Sequence, residues 1–143
     1  MRLAMCNCTR RTALFAFPAA LVAWPAISAP QDPIHRPFLE EAFRQRDLAV
    51  RLGDQPYGAV VVREGRIVGR GSSRVIQDRN ADAHAERLAI ADAIRSSGAA
   101  TVAGAILYSS SRPCRACETV AAAAQLSRMI HGEGASDAGR PQG

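Results

Sequence analysis

Pro113-Cys114-Arg115-Ala116-Cys117, together with His84-Ala85-Glu86 upstream, is the stretch on which the reading of this chain turns. Two cysteines three positions apart on a helix face the same side. At a helix start, the free N–H groups and the positive end of the dipole favour the thiolate form. Pro113 suits such a start, because its fixed φ matches the first turn. His84 falls in a second helical run, from Asp82 to about Ser96, which Gly98 stops. One imidazole and two thiolates supply three ligands to Zn²⁺, which favours tetrahedral N/S sites and keeps a fourth position for water when catalytic. Glu86 stands close enough to His84 to reach that water without binding the ion. Taken singly, His84 reads as a satisfied buried histidine and Glu86 as a solvated helix carboxylate. The cysteine pair alone also suits a disulfide or a redox couple. It is the combination that points to a metal.

The paired motif resembles that of the cytidine deaminase-like superfamily, in the histidine-ligand branch with guanine, cytosine and tRNA adenosine deaminases. The resemblance covers roughly residues 38–131. It implies an α/β fold: a three-layer α/β/α sandwich with a mixed central sheet, here shortened at the C-terminus. It also implies one zinc per chain, held by His84, Cys114 and Cys117, and Glu86 as the catalytic proton carrier. The activity implied is hydrolytic deamination of a small nucleobase or nucleoside, with release of ammonia. Deamination of adenosine in tRNA is one alternative. A non-catalytic zinc-stabilised binding module, or a degenerate deaminase, is another.

On the substrate side, Pro56-Tyr57-Gly58-Ala59 stands where relatives line the base pocket with Pro-Phe-Gly-Ala. Tyr57 is therefore a candidate to stack on a ring, its other reading being a core aromatic on a strand. Ser73 occupies a place where relatives often carry an Asn that holds the base or sugar. A hydroxyl cannot match the paired donor and acceptor of an amide. Ala85, between the two functional side chains, is the third substrate-side candidate. Arg112 replaces the family's Glu ahead of Pro-Cys, and Asn80-Ala81-Asp82-Ala83 replaces its acid-Pro-Thr. These departures spare the zinc set and bear on the substrate.

Outward from the motifs, Phe38 to Leu52 has helical apolar spacing and Gly53 ends it. Tyr57 to Val62 is nearly all apolar, as in a strand buried on both faces. Glu64-Gly65 turns the chain into a second strand, Arg66 to Gly71. Residues 72–80 form a polar loop, 103–108 a third strand, and 109–113 a tight loop. The helix after Pro113 runs to about Leu126, and Arg128 to His131 makes a short fourth strand. His35 and His131 have no partner motif and read as surface or loop histidines. Residues 132–143 read as a flexible Gly-rich tail, unable to add the fifth strand and closing helices of relatives. A second subunit covering the exposed edge (a homodimer) or a more open pocket is the expected consequence.

The N-terminus reads as an export signal over residues 1–28. Thr9-Arg10-Arg11-Thr12-Ala13-Leu14 resembles a twin-arginine motif, an apolar stretch follows to about Ile27, and Ala26-Ile27-Ser28 offers a cleavage site. Pro18 and Pro25 interrupt a run shorter than the roughly 20 residues of a bilayer span, which disfavours a stable membrane anchor. Residues 29–37 are a Pro-rich lead-in, and 38–131 the zinc deaminase domain. A periplasmic or secreted location follows. Of four cysteines, Cys6 and Cys8 fall inside the signal. The chain has 143 residues and a formal net charge of +5, all 18 basic residues being Arg. Without Arg2, Arg10 and Arg11, 15 basic residues face 13 acidic ones, a balance of +2. With no aromatic-interleaved basic stripe, a nucleic-acid partner is not expected.

Overall fold

Gly58–Arg63 (β1) is the strand on which both helical layers rest. In the computed structural model, which describes residues 33–143, it lies inside a five-stranded mixed sheet. The expected signal and residues 29–32 of the lead-in lie outside the described residues, and the last two lead-in positions, Arg36 and Pro37, are already helical because Pro37 suits the first turn. Helix α1 (Arg36–Arg51) precedes β1, and β2 (Arg66–Ser72) returns antiparallel to it. Helix α2 (Ala85–Ser97) and the single turn α3 (Ala99–Val102) lead to β3 (Ile106–Ser109). Helix α4 (Arg115–Ala123), β4 (Arg128–His131) and β5 (Ser136–Gly139) complete the chain. The strand order is β2-β1-β3-β4-β5. The β3–β4 pair is parallel, with α4 as its crossover, and the other pairs are antiparallel.

Alternation along β1 builds the two cores. Ala59 and Val61 join Leu107 and Met129 under Ala85, Ala89, Ile90 and Ala93 of α2 and Ala121 of α4. Val60 and Val62 point the other way, with Tyr108 and Ile130, against Leu39 of α1. Burial of both faces explains why β1 reads as an unbroken apolar run. The α/β/α sandwich of the sequence reading is the architecture observed.

Two glycines let the helices sit this close. A Cβ on Gly58 would lie 2.1 Å from the Arg46 nitrogen of α1, and one on Gly71 2.1 Å from the Ala85 carbonyl oxygen. At the β2 edge, helix α2 satisfies backbone groups that β1 cannot reach. The Arg70 N–H donates to the Asp92 carboxylate at 2.9 Å, and the Ser96 hydroxyl donates to the Val68 carbonyl at 2.9 Å. An edge so occupied is a poor template for further strands.

Three parts of the sequence reading are corrected. Residues 132–143 are not a structureless tail, because Ser136–Gly139 pairs with β4. Gly132 and Ala135 take positive φ, 72° and 51°, to turn the chain back. The third strand begins at Ile106 rather than residue 103, since Ala99–Val102 winds into a turn and Gly104 (φ 80°) redirects the backbone. The helix after Pro113 ends at Ala123, three residues early, where Ala124 caps it and Gln125 adopts φ 57°.

Candidate active site

The starts of α2 and α4 bring the donor atoms together. His84 is the residue before α2, with extended φ −70° and ψ 148°, rather than a residue within a helix that starts at Asp82. The reason is local. The Asn80 side-chain oxygen accepts from the Asp82 N–H (2.9 Å) and the Asp82 carbonyl from the His84 N–H (2.8 Å), so turns use up these donors before the helix begins. Cys114 holds the matching position before α4, with φ −72° and ψ 162°, and its sulfur accepts from the Cys117 N–H at 3.4 Å.

His84 Nδ1 lies 3.2 Å from Cys117 Sγ and 3.6 Å from Cys114 Sγ, and the two sulfurs are 3.2 Å apart. Tetrahedral zinc with bonds of about 2.0–2.3 Å sets its ligand atoms about 3.3–3.8 Å apart. The three separations, 3.2, 3.6 and 3.2 Å, lie within or just under that span, so a small outward shift of the sulfurs would seat a common ion. The three residues form a candidate metal cluster among the described residues.

Glu86 borders this cluster and is 4% exposed. One carboxylate oxygen accepts the Ser109 hydroxyl at 2.9 Å, and the other lies 3.7 Å from Cys117 Sγ. Burial pushes the Cys117 thiol well above its usual range, and the Glu86 carboxylate and Cys114 push it further. A divalent cation reverses that balance, because it pairs with thiolates and screens the adjacent carboxylate. The donor set therefore suits zinc on chemical as well as geometric grounds.

An open cavity of about 490 Å³ adjoins the cluster, lined by Gln55, Tyr57, His84, Glu86, Ser111, Arg112 and Cys114. Tyr57 is 41% exposed, so it belongs to this cavity and not to the core. Ser73 is buried elsewhere, its hydroxyl donating to Asp54 at 2.8 Å, and Ala85 is buried in the α2 core. Neither lines the cavity. Asp54 also accepts the N–H groups of Gln55, Ile76 and Gln77, which ties the loop after β2 to the segment carrying Gln55 and Tyr57. Asp54, Gln55, Ser109 and Ser111 are not among the residues the sequence singles out, and Arg112 is there only as a departure from the family's Glu. The polar run Ser109-Ser110-Ser111-Arg112 beside Pro113 was the available signal for three of them. The other two histidines are also more than loop residues. His35 Nδ1 lies 2.9 Å from the Tyr108 hydroxyl, and His131 is half-buried at the end of β4, where burial and then Arg112 lower its pKa.

Residues 33–133 match the family described as the cytidine and deoxycytidylate deaminase zinc-binding region. The chain belongs to this family. Relatives within the zinc-binding deaminase group include a tRNA-specific adenosine deaminase of Aquifex aeolicus, 32% identical over 65% of this chain and 62% of its own. A guanine deaminase of Bacillus subtilis is 37% identical over 58% of this chain and 54% of its own. The solved Bacillus subtilis guanine deaminase superposes with a TM-score of 0.65 at 32% identity, covering 68% of this chain and 63% of that one. A structure from work on A-to-I editing by tRNA:A34 deaminases gives 0.64 at 31% identity, covering 68% and 70%. This chain thus spans under two thirds of the length of these two sequence relatives.

Proposed function

We propose that this deaminase-family chain is a zinc-dependent hydrolase that replaces the exocyclic amine of a small nucleobase or nucleoside with oxygen, releasing ammonia. The observation that carries the reading is the setting of Glu86, a buried carboxylate beside the His84/Cys114/Cys117 cluster and open to the same cavity. One zinc per chain, which those three residues would hold, would supply a Lewis acid able to lower the pKa of water to about 7. Glu86 is placed to take a proton from the attacking water and deliver it to the ring nitrogen, then carry a second to the departing amine. Ser109 holds one of its oxygens by a 2.9 Å hydrogen bond and leaves the other facing the cluster, so the carboxylate shuttles without changing place. Tyr57 lines the cavity and is the aromatic ring available there to stack on the substrate heterocycle. The overall change is balanced: water and an amidine-like C–NH₂ become a carbonyl and ammonia.

The tRNA-specific relatives favour a second reading, adenosine in RNA. Charge argues against it. Nine of the fifteen described arginines are held in ion pairs, and of the other six only Arg112 lines the cavity, whereas an RNA backbone needs free cations over a wide face around the site. Ammonia release from the zinc-loaded protein, over free bases, nucleosides and an anticodon stem-loop RNA, separates the readings. Release from a free heterocycle or nucleoside supports the proposal, release from the RNA alone replaces it with the second reading, and none supports a binding module. Export by the twin-arginine-like segment around Arg10 and Arg11, to the periplasm or beyond, completes the proposal.

A further inference from the structure

We propose that Arg112 is a specificity residue that selects substrates bearing an anionic oxygen group, either a phosphate on the sugar or a carboxylate on the ring. The inference rests on the deaminase reading for what the cavity does, and on the geometry of Arg112 for what it prefers. Arg112 lines the same cavity as His84, Glu86 and Cys114. Its backbone is constrained, since the next residue is the buried Pro113, and a residue before proline is held extended. Arg112 is exposed and lines the cavity from the segment that carries the first cysteine.

Its charge is uncompensated. Arg112 is one of six described arginines with no acid within ion-pair distance, and of those six it is the one that lines this cavity. The acid that lines the cavity, Glu86, is buried and engaged by Ser109. The field of Arg112 reaches His131, whose pKa it lowers after burial does. A cation with no acid partner beside a concave site gives the mouth a positive potential. A neutral ring gains little from it. Phosphate and carboxylate oxygens match the guanidinium fork with two parallel charge-assisted hydrogen bonds. The volume, about 490 Å³, falls in the range of about 300–1,000 Å³ usual for small-molecule sites and leaves room for such a group beside a heterocycle.

The test is calorimetric binding to the zinc-loaded protein of matched pairs: a pyrimidine and a purine nucleoside, each against its 5′-monophosphate, and an aminopyrimidine against its ring carboxylate. A hydrogen bond to a charged group is worth about 1.5–3 kcal/mol, or about 10–150-fold. The anionic member of at least one pair is therefore expected to bind at least about tenfold tighter. Arg112→Gln abolishes that preference and Arg112→Lys keeps part of it, with zinc content and melting temperature unchanged. The pair that shows the preference tells phosphate from carboxylate. No preference in any pair, or a preference that survives in Arg112→Gln, overturns the proposal. In turnover the same discrimination appears in KM, and a fall in kcat on neutral substrates in Arg112→Gln would overturn it too, by placing Arg112 on the reaction itself. Should no compound release ammonia, the deaminase reading fails, while the calorimetry still decides whether Arg112 reads anions.

Discussion

Asp54 shows how a residue outside the motifs shapes the site. Its burial works to raise the carboxyl pKa, but hydrogen bonds from the Gln77 N–H, the Gln55 N–H, the Ser73 hydroxyl and the Ile76 N–H outweigh this and lower it below the usual 3.8. A group with a depressed folded-state pKa adds stability above its unfolded value, and that stability is lost as pH falls through the folded value. Asp54→Asn is thus expected to be less stable than the parent at neutral pH, with the gap closing below about pH 4. Urea melts of both proteins across pH 2.5 to 7 would show it. A gap that is constant with pH would mean that Asp54 acts by shape alone. Ser109 makes a similar point. Both contacts join residues far apart in sequence, Ser109 to Glu86 across 23 positions and Asp54 to Gln77 across the same number, so no local spacing announces them.

At the scale of elements, the site depends on how closely α2 lies on β2. A Cβ on Gly71 would meet the Ala85 carbonyl at 2.1 Å and the Ala89 nitrogen at 2.5 Å, both of them backbone atoms. Gly71→Ala therefore pushes the start of α2, with His84 and Glu86, off β2 and disturbs its fit to the cysteines of α4. Overpacking of this kind costs about 1–3 kcal/mol. The variant should melt at lower temperature and hold zinc more weakly. Unchanged zinc affinity would show that the helix start moves independently of the strand. A zinc held by His84, Cys114 and Cys117 would tie α2 to α4, so Cys114→Ala/Cys117→Ala should lose the metal and melt below the zinc-loaded parent. Full occupancy in that double variant, measured by atomic absorption, would assign the metal to other residues. The motifs were legible because each is short: His84 and Glu86 on one helix start, Cys114 and Cys117 on another. Strand β1 was legible because both of its faces are buried. Strand β5 was not, because Ser136-Asp137-Ala138-Gly139 has no β-branched or aromatic residue. It forms because β4 offers unpaired backbone groups, with Ala135 and Ala138 covering the two cores. Ser73 was placed by analogy with an Asn, whereas its burial next to Asp54 turns it inward.

For the whole molecule, the sheet assembles the site by setting two helix starts side by side at the carboxyl end of β3, which supplies Ser109. Delivery is the other property at this scale. If Arg10 and Arg11 are read as an export address, replacing both with Lys leaves the precursor in the cytoplasm, and fractionated cells probed by immunoblot report where it is. An unchanged periplasmic yield would give the N-terminus another role. The proposed reaction depends above all on Glu86 moving protons beside a zinc held by His84, Cys114 and Cys117. The most direct measurement is the rate of ammonia release by zinc-loaded Glu86→Gln on the best substrate of the parent protein, with zinc content determined on the same samples. General acid–base groups contribute about 10²–10⁴ in rate, and here one carboxylate serves both transfers. The account predicts a folded, zinc-loaded variant slowed by at least about 10²-fold. Turnover at the parent rate, with a shifted melting temperature as its only effect, would contradict it.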